Sequence, residues 1–215
     1  APPPPPTPTP PDRLDEQLYS RQLYAIGRDA QRHLAGASVL LLGLSGTGAE
    51  IAKNLVLAGI HALDVSDDSA ANYADLSSNW LLRDDDVGDA RAERVVERLA
   101  PLNPHVKVRR VNFEPASLNA DAVRNYDVVV CVDALLPAEL AVAAAAREAG
   151  CRLVLAGSRG VFGRVFCDVN RGFVVDDATG EAPRQALLEH VSTSAEGEVR
   201  CVEEQPHGLA DGDIV

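Results

Sequence analysis

The protein has 215 residues, a mass of 22.8 kDa and a formal net charge of −12, with 46% hydrophobic and 24% charged residues. This composition is ordinary for a globular domain, so it excludes a wholly disordered, collagen-like or coiled-coil chain, and no apolar run approaches the length that predicts a membrane-spanning helix. The acidic balance argues against non-specific binding to nucleic acid or to acidic membranes, so neither is expected as a partner.

The chain begins with a proline-rich stretch followed by an amphipathic one. Eight of the 14 prolines fall in the first eleven residues. They favour an extended polyproline helix, and we expect residues 1–13 to form a disordered arm, with a ligand for an aromatic groove as the alternative. In residues 12–35 apolar side chains recur at helical spacing. This pattern predicts two short helices that are broken near Gly27 and packed through Leu18 and Leu23.

Residues 37–176 alternate between apolar runs and helical patterns. The strands are predicted at 38–42, 62–65, 106–111, 126–132 and 151–156. The helices are predicted at 47–58, where Gly59 ends the helix, and at 90–100 and 137–149. This alternation predicts an α/β fold with a doubly wound, Rossmann-like and mostly parallel sheet.

Beyond residue 156 the pattern is that of strands without helices. Apolar runs at 161–169 and 172–175 are separated by Asn170 and Arg171, and they predict an antiparallel hairpin at the C-terminal end of the sheet. The remaining residues are polar and rich in glycine, as in the start of a second domain. Two further short strands are predicted there, at 199–202 and 213–215.

A glycine turn connects the first strand to the helix that follows it. Gly43, Gly46 and Gly48 form the turn, and Asp67 follows the second strand at nineteen residues from Gly48. Backbone N–H groups at such a turn bind phosphate, and an acidic residue at that distance binds a ribose. However, Ser45 replaces the middle glycine of the G-x-G-x-x-G fingerprint, and its Cβ would crowd a pyrophosphate. The glycines therefore serve either a nucleotide site or only the tight packing of helix on strand.

The other polar clusters predict no catalytic or metal site. The acidic run at 84–86 is expected to cap the next helix and to face solvent. The four cysteines have no CxxC spacing and lie mostly within apolar runs. They are therefore expected to act as small hydrophobic side chains in a reducing compartment.

Five segments of the chain resemble the N-terminal part of eukaryotic ubiquitin-activating enzymes. They are LYSRQLY at 18–24, VLLLGLSGTGAEIAKN at 39–54, ADLSS at 74–78, GSRGVFGRVFCD at 157–168 and PHGLADGDIV at 206–215. The resemblance extends over residues 14–215. It implies a ThiF-type adenylating fold, with an inactive adenylation domain at 14–180 and the truncated start of an inserted domain, the first catalytic-cysteine half-domain, at 181–215.

In this family, one copy of the fold binds ATP and Mg and adenylates the C-terminus of ubiquitin, and the N-terminal copy is its inactive partner. The resemblance implies that this chain is the inactive copy. Ser45 replaces the glycine of the active loop, and Ser78 stands where the active copy has an arginine that binds phosphate. The three turn glycines and Asp67 would then form a degenerate nucleotide site, and no cofactor is expected on this chain.

The resemblance gives one residue a catalytic role. In the family the arginine of the S-R-Q segment, which is Arg21 here, reaches the ATP of the active copy as an arginine finger does. The implied partners are the active adenylation domain of the same polypeptide and ubiquitin or a ubiquitin-like protein, in the cytoplasm and nucleus. From the residues alone, a surface arginine paired with Asp15 or Glu16 is the alternative.

Two other functions stay open at this point. One is a subunit of a heterodimeric activating enzyme for another ubiquitin-like protein. The other is an NAD-dependent oxidoreductase domain, which Asp67 and the glycine turn favour. The sequence has no Tyr-x-x-x-Lys pair for that chemistry, because its two lysines are Lys53 and Lys107.

Overall fold

The computed structural model describes residues 14–175, 186–194, 196–202 and 208. The predicted proline-rich arm and the strand predicted at 213–215 lie outside the described residues. The chain divides into two compact units, Ala1–Gly172 and Phe173–Val215. The domain functions assigned above stay predictions.

The first unit is a six-stranded sheet with helices on both faces. Its elements are α1 (Ser20–Gly36), β1 (Ser38–Leu42), α2 (Gly46–Ala58), β2 (Ala62–Ser66), α3 (Arg91–Leu99), β3 (Lys107–Arg110), α4 (Ala120–Val123), β4 (Val128–Val132), α5 (Leu136–Ala149), β5 (Arg152–Arg159) and β6 (Phe162–Asp168). The strand order is β3-β2-β1-β4-β5-β6, and every pair is parallel except β5 with β6. The predicted doubly wound α/β sheet is therefore confirmed.

The central strands β1 and β4 supply apolar side chains to both faces of the sheet. Val39 and Leu41 pack with α2 and α3 on one face, whereas Leu40 and Leu42 pack with α4 and α5 on the other. Successive strand residues point to opposite faces, so a continuous apolar run contributes to two cores at once. The chain leaves β1 toward one edge and returns at β4, and this reversal opens a crevice at their carboxyl ends.

Helix α1 is broken at Gly27, as predicted, where the backbone has φ 80° and ψ 170°. Its anchor is a different residue from the predicted ones. Leu18 is 55% exposed and Leu23 is only half-buried, whereas Tyr19 is buried. Helical periodicity favours the leucines because it marks one amphipathic surface, and it does not show which side chain enters the domain.

The acidic run at 84–86 does not cap the following helix, so that prediction is wrong. Asp84–Asp86 forms a short 3₁₀ helix of its own, and α3 begins only at Arg91. Asp86 is buried rather than solvated, and its oxygens accept hydrogen bonds at 2.5 and 2.9 Å from Arg98, near the far end of α3. The aspartate thus ties the loop to the helix through its side chain.

The antiparallel hairpin exists, but its two strands are β5 and β6, so the predicted pairing of 161–169 with 172–175 is wrong. Strand β5 continues through Gly157 to Arg159, and the turn follows at Gly160, where φ is 62°. Residues 173–175 form no strand.

The second unit contains an antiparallel pair, β7 (Leu188–Val191) and β8 (Val199–Cys201). This pair confirms the strand predicted at 199–202. In the described part of the chain, no helix has the length and apolar character needed to cross a membrane.

Candidate functional site

The crevice at the carboxyl ends of β1 and β4 is the position where open parallel sheets bind ligands. Its cavity has a volume of about 260 Å³. The residues that line it include Gly43, Ser45, Asp67, Arg91 and Asp133. The fold therefore brings two of the predicted site residues, and the serine that interrupts the fingerprint, to one place.

The glycines of the turn are surrounded closely by protein atoms. A Cβ at Gly48 would lie 2.2 Å from the carbonyl oxygen of Gly43, and one at Gly46 would lie 2.6 Å from the Cβ and Oγ of Ser78. Gly43 has φ 93°, and a Cβ there would lie 2.6 Å from the carbonyl oxygen of Val132. Close contacts with the turn itself, with the end of β4 and with Ser78 therefore explain all three glycines without a ligand.

Asp67 already has hydrogen-bond donors for both of its oxygens. Oδ2 accepts from the Leu44 N–H at 2.6 Å and from Arg91 at 2.8 and 3.2 Å, and Oδ1 accepts from the Ser69 N–H at 2.9 Å. The side chain is only 3% exposed. The Leu44 N–H belongs to the glycine turn. In a nucleotide site an N–H group of this kind donates to phosphate, whereas here it donates to the carboxylate of Asp67.

A second carboxylate, that of Asp133, lies beside the turn. Its Oδ2 accepts from Ser45 Oγ at 2.6 Å, and its Oδ1 accepts from the Ser158 N–H at 2.9 Å and from Arg159 at 2.8 Å. Burial opposes the charge of Asp133, but the hydrogen bonds from Ser45, Ser158 and Arg159 outweigh it and hold its pKa below the usual range. The serine in the fingerprint therefore binds an ionised acid, which repels phosphate.

The segment after β2 fixes the glycine turn from another side. The buried Asn79 donates from Nδ2 to the Leu44 carbonyl at 3.1 Å and accepts from the Leu81 N–H at 3.1 Å. Ser78, which precedes it, packs against Gly46 and brings no charge.

Arg91 is the one cation among the described residues that line the crevice. It is 13% exposed and is bound to Asp67 and Asp75, at 2.8 Å in each case. The crevice therefore contains no uncommitted positive charge from its lining.

Arg21 is exposed in the first turn of α1, away from any ionic partner within the residues that the structure describes. The two acids predicted to pair with it have other partners. Glu16 binds Arg28 at 2.5 Å, and Asp15 accepts the backbone N–H groups of Gln17 and Leu18. The surface ion pair considered from the sequence is not formed, so the Arg21 guanidinium is available to a molecule outside the domain.

Cys131 and Cys151 behave as the sequence predicts for small hydrophobic side chains. Both are buried in the core beneath α5, and burial raises the pKa of each thiol to about 11. At neutral pH they therefore stay protonated and are poor nucleophiles.

Sequence reasoning missed Asp133 and Arg91 as residues of the crevice. A signal existed for Asp133, because it is the first polar residue after a buried strand. Asp67 also follows a buried strand directly, and the carboxyl ends of parallel strands lie at the same edge of the sheet. No signal existed for Arg91, which lies 24 residues from Asp67 and reaches it only through the packing of α3.

The chain matches the ThiF family over residues 19–195. It is 41% identical over 202 residues to ubiquitin-like modifier-activating enzyme 1 of Mus musculus, which covers 94% of this chain and 19% of that protein. It is 37% identical over 203 residues to ubiquitin-like modifier-activating enzyme 7 of Homo sapiens, covering 94% and 20%. The chain thus spans about a fifth of the length of these curated relatives.

A solved structure of E. coli tRNA N6-threonylcarbamoyladenosine dehydratase superposes with a TM-score of 0.60 and 25% identity, over 65% of this chain and 59% of that one. The structural likeness agrees with the α/β fold and its mostly parallel sheet. Because the family match extends over most of the sequence, this chain belongs to the ThiF family.

Proposed function

We propose that this chain is the inactive adenylation half of a ubiquitin-activating enzyme, which acts in the cytoplasm and nucleus. In this proposal it supports an active, ATP-binding half of the same polypeptide and supplies it with Arg21. The observation that carries the proposal is the crevice, in which the glycine turn is bound to two internal carboxylates, Asp67 and Asp133. The matched activating enzymes give the reaction to which such a half would belong.

The charge of the crevice supports the inactive assignment. Asp67, Asp68 and Asp133 line it against a single arginine, Arg91, which is already paired. A triphosphate needs cations that offset its charge, so ATP and Mg would be held by the active half. The same arrangement weighs against an NAD-dependent oxidoreductase, because Asp67 is 3% exposed and already binds the Leu44 and Ser69 N–H groups and Arg91, so little of it is accessible to a ribose.

The exposure of Arg21 supports a role at the ATP site of the active half. In adenylation, a carboxylate oxygen of the ubiquitin C-terminus bonds to the α-phosphorus of ATP, and the bond to the bridging oxygen breaks as pyrophosphate leaves. Negative charge moves onto the leaving group in this step. A guanidinium held beside the phosphates stabilises that charge more in the transition state than in bound ATP.

An exposed apolar surface supports the presence of a large partner. We call it the β6–α5 surface. Its members are Leu135, Leu136, Leu140, Val161, Phe162, Val165 and Phe166, each of them more than half exposed. Side chains alternate along β6, so Phe162 and Phe166 lie on the α5 face of the sheet and Val165 on the opposite face. Exposed apolar side chains on both faces of an edge strand are typical of a protein interface. We propose that it faces the active half.

The test is Arg21→Ala in the full-length enzyme that contains this chain. We expect slower ATP–pyrophosphate exchange, because a cation that stabilises the phosphates is lost. Loss of a full arginine finger costs about 10³-fold or more, and we expect a smaller loss because the active half has cations of its own. Arg21→Lys should rescue poorly, since an ammonium does not reproduce a two-pronged phosphate contact.

The matched control is Arg32→Ala, which removes an exposed arginine from the part of α1 that follows the break. It should exchange at the wild-type rate. Neither variant should change the melting temperature of this chain by more than about a degree, because surface substitutions have small effects on stability. Exchange by Arg21→Ala at the wild-type rate would contradict the proposed role, as would unfolding of the domain by that substitution.

A further inference from the structure

The segment that carries Arg21 has little packing of its own. The break at Gly27 interrupts the helix between this segment and the rest of α1, and an exposed ion pair of Glu16 with Arg28 connects the two parts. Leu18, Tyr24 and Ile26 are 55%, 95% and 43% exposed. Two side chains of this segment bind the domain and can orient Arg21: Gln22, whose Nε2 donates to the Ala58 carbonyl at 3.0 Å, and the buried Tyr19.

Tyr19 is the side chain that enters the domain most deeply. It is 6% exposed and lies against Gly59, the residue that ends α2 with φ 78°. A Cβ at Gly59 would lie 2.4 Å from Tyr19 Oη, so the niche exists because this residue is glycine. The Tyr19 carbonyl accepts the Leu23 N–H at 2.8 Å, which joins the anchor to the helical turn that contains Arg21.

Asn103 holds the hydroxyl of Tyr19 in place. Its Nδ2 donates to Tyr19 Oη at 2.8 Å and to the Val56 carbonyl at 2.9 Å, and its Oδ1 accepts the His105 N–H at 3.1 Å. Asn103 is 3% exposed. Because its three partners fix the orientation of the amide, the tyrosine hydroxyl is bound at one defined position.

We infer that Tyr19 is a positioning residue for Arg21, and that its hydrogen bond with Asn103 fixes the direction in which Arg21 leaves the domain. The inference rests on the proposed function of Arg21. A charged group stabilises a transition state only where it is held at the correct place, and a displacement of about 1 Å can cost much of the effect. Tyr19 would supply this placement from inside the domain, while the Arg21 side chain stays exposed.

The test is a double-mutant cycle in the full-length enzyme, with Tyr19→Phe, Arg21→Ala and the combination. Tyr19→Phe keeps the ring in its niche and removes the hydroxyl. We expect about a five-fold fall in kcat/KM for ATP in pyrophosphate exchange, the size of effect that one hydrogen bond supports, with no change in KM for ubiquitin. In the Arg21→Ala background the same substitution should cause no further loss, because it acts through Arg21.

The control is Tyr73→Phe, which removes a hydroxyl from a tyrosine that is 75% exposed and should leave exchange unchanged. Exchange rates are divided by the amount of pyrophosphate released in the first turnover, which counts the active enzyme. Unfolded enzyme therefore lowers that amount and leaves the exchange rate per active enzyme unchanged. Wild-type exchange by Tyr19→Phe would overturn the inference. So would an equal loss in the presence and absence of Arg21, because Tyr19 would then be structural. Wild-type exchange by Arg21→Ala would instead overturn the proposed function.

Discussion

At the scale of single residues, the crevice differs from a nucleotide site in what its donors already bind. The Leu44 N–H and Arg91 both donate to Asp67, and Ser45 donates to Asp133. A phosphate entering the crevice would have to compete with these carboxylates for donors, and it would also meet their negative charge. Both effects act against binding, and neither depends on the uncharged side chain of Ser78.

We therefore expect this chain to bind neither ATP with Mg nor NAD at micromolar concentration. Isothermal titration of the chain with each ligand should give dissociation constants weaker than about 1 mM, equivalent to about −4 kcal/mol or less favourable. The full-length enzyme is the positive control, since its active half should bind ATP. A micromolar dissociation constant for this chain would show that the internal carboxylates yield to the ligand.

The sequence predicted half of this site. The turn glycines, Ser45 and Asp67 follow from a local motif, because strand, turn and helix are consecutive in the chain. The contacts of Asp67 with Arg91 and of Ser45 with Asp133 join residues 24 and 88 positions apart. Such contacts depend on strand order and on the packing of α3, which a local pattern does not contain.

At the scale of elements, a buried ion pair fixes the loop between β2 and α3. Asp86 and Arg98 are 6% and 25% exposed, and Asp86 Oδ2 also accepts the Arg83 N–H at 2.6 Å. The hydrogen bond from Arg98 is the main reason that the pKa of Asp86 lies below its usual range. The carboxylate therefore stabilises both the loop and the end of α3.

Asp86→Asn should lower the free energy of unfolding at neutral pH by about 2–3 kcal/mol, because it leaves Arg98 without its counter-charge. Loss of one partner from a fully buried pair costs about 3–5 kcal/mol, and Arg98 still reaches water. The measurement is urea denaturation of both proteins. The control is Asp85→Asn, an exposed neighbour, which should stay within about 0.5 kcal/mol of the wild type.

The difference in the free energy of unfolding between Asp86→Asn and the wild type should also depend on pH. A carboxylate with a lowered pKa in the folded state stabilises the fold fully above its unfolded pKa of about 4, and this contribution disappears as the pH falls through the lowered value. The two proteins should therefore converge in acid. A difference that is the same at pH 7 and in acid would show that Asp86 acts by shape and not by charge.

The sequence predicted correctly the elements whose residues have uniform surroundings or a clear local end signal. Apart from Ser38, strands β1 and β4 are apolar, and every residue after the first of each strand is buried. Helix α2 is ended by Gly59 in the left-handed conformation. The predicted strands of the hairpin were wrong because Gly157 and Ser158 favour a loop locally, whereas pairing with β6 extends β5 through them. Backbone pairing across a hairpin outweighs such weak local preferences.

At the scale of the whole molecule, a large negative charge coexists with a surface suited to association. Strand β6 is an edge of its sheet, and Phe162, Val165 and Phe166 along it are 76%, 72% and 51% exposed. Long apolar edges pair readily with other chains. The arginines next to this surface do not add net charge, because Arg164 binds Glu139 and Arg147 binds Asp168. Charge repulsion is therefore weak where the apolar surface lies.

We expect the isolated chain to self-associate through the β6–α5 surface. Sedimentation velocity should show an average mass that rises with protein concentration. Val165→Lys should reduce this rise, because a lysine in the middle of an edge strand opposes pairing and is costly to bury. Leu57→Lys is the control, since Leu57 is 49% exposed on α2 and outside that surface, and it should associate like the wild type. A chain that stays monomeric at every concentration would contradict the assignment of this surface to a partner. Equal effects of the two lysines would contradict it too, because the loss of association would then be a general effect of charge.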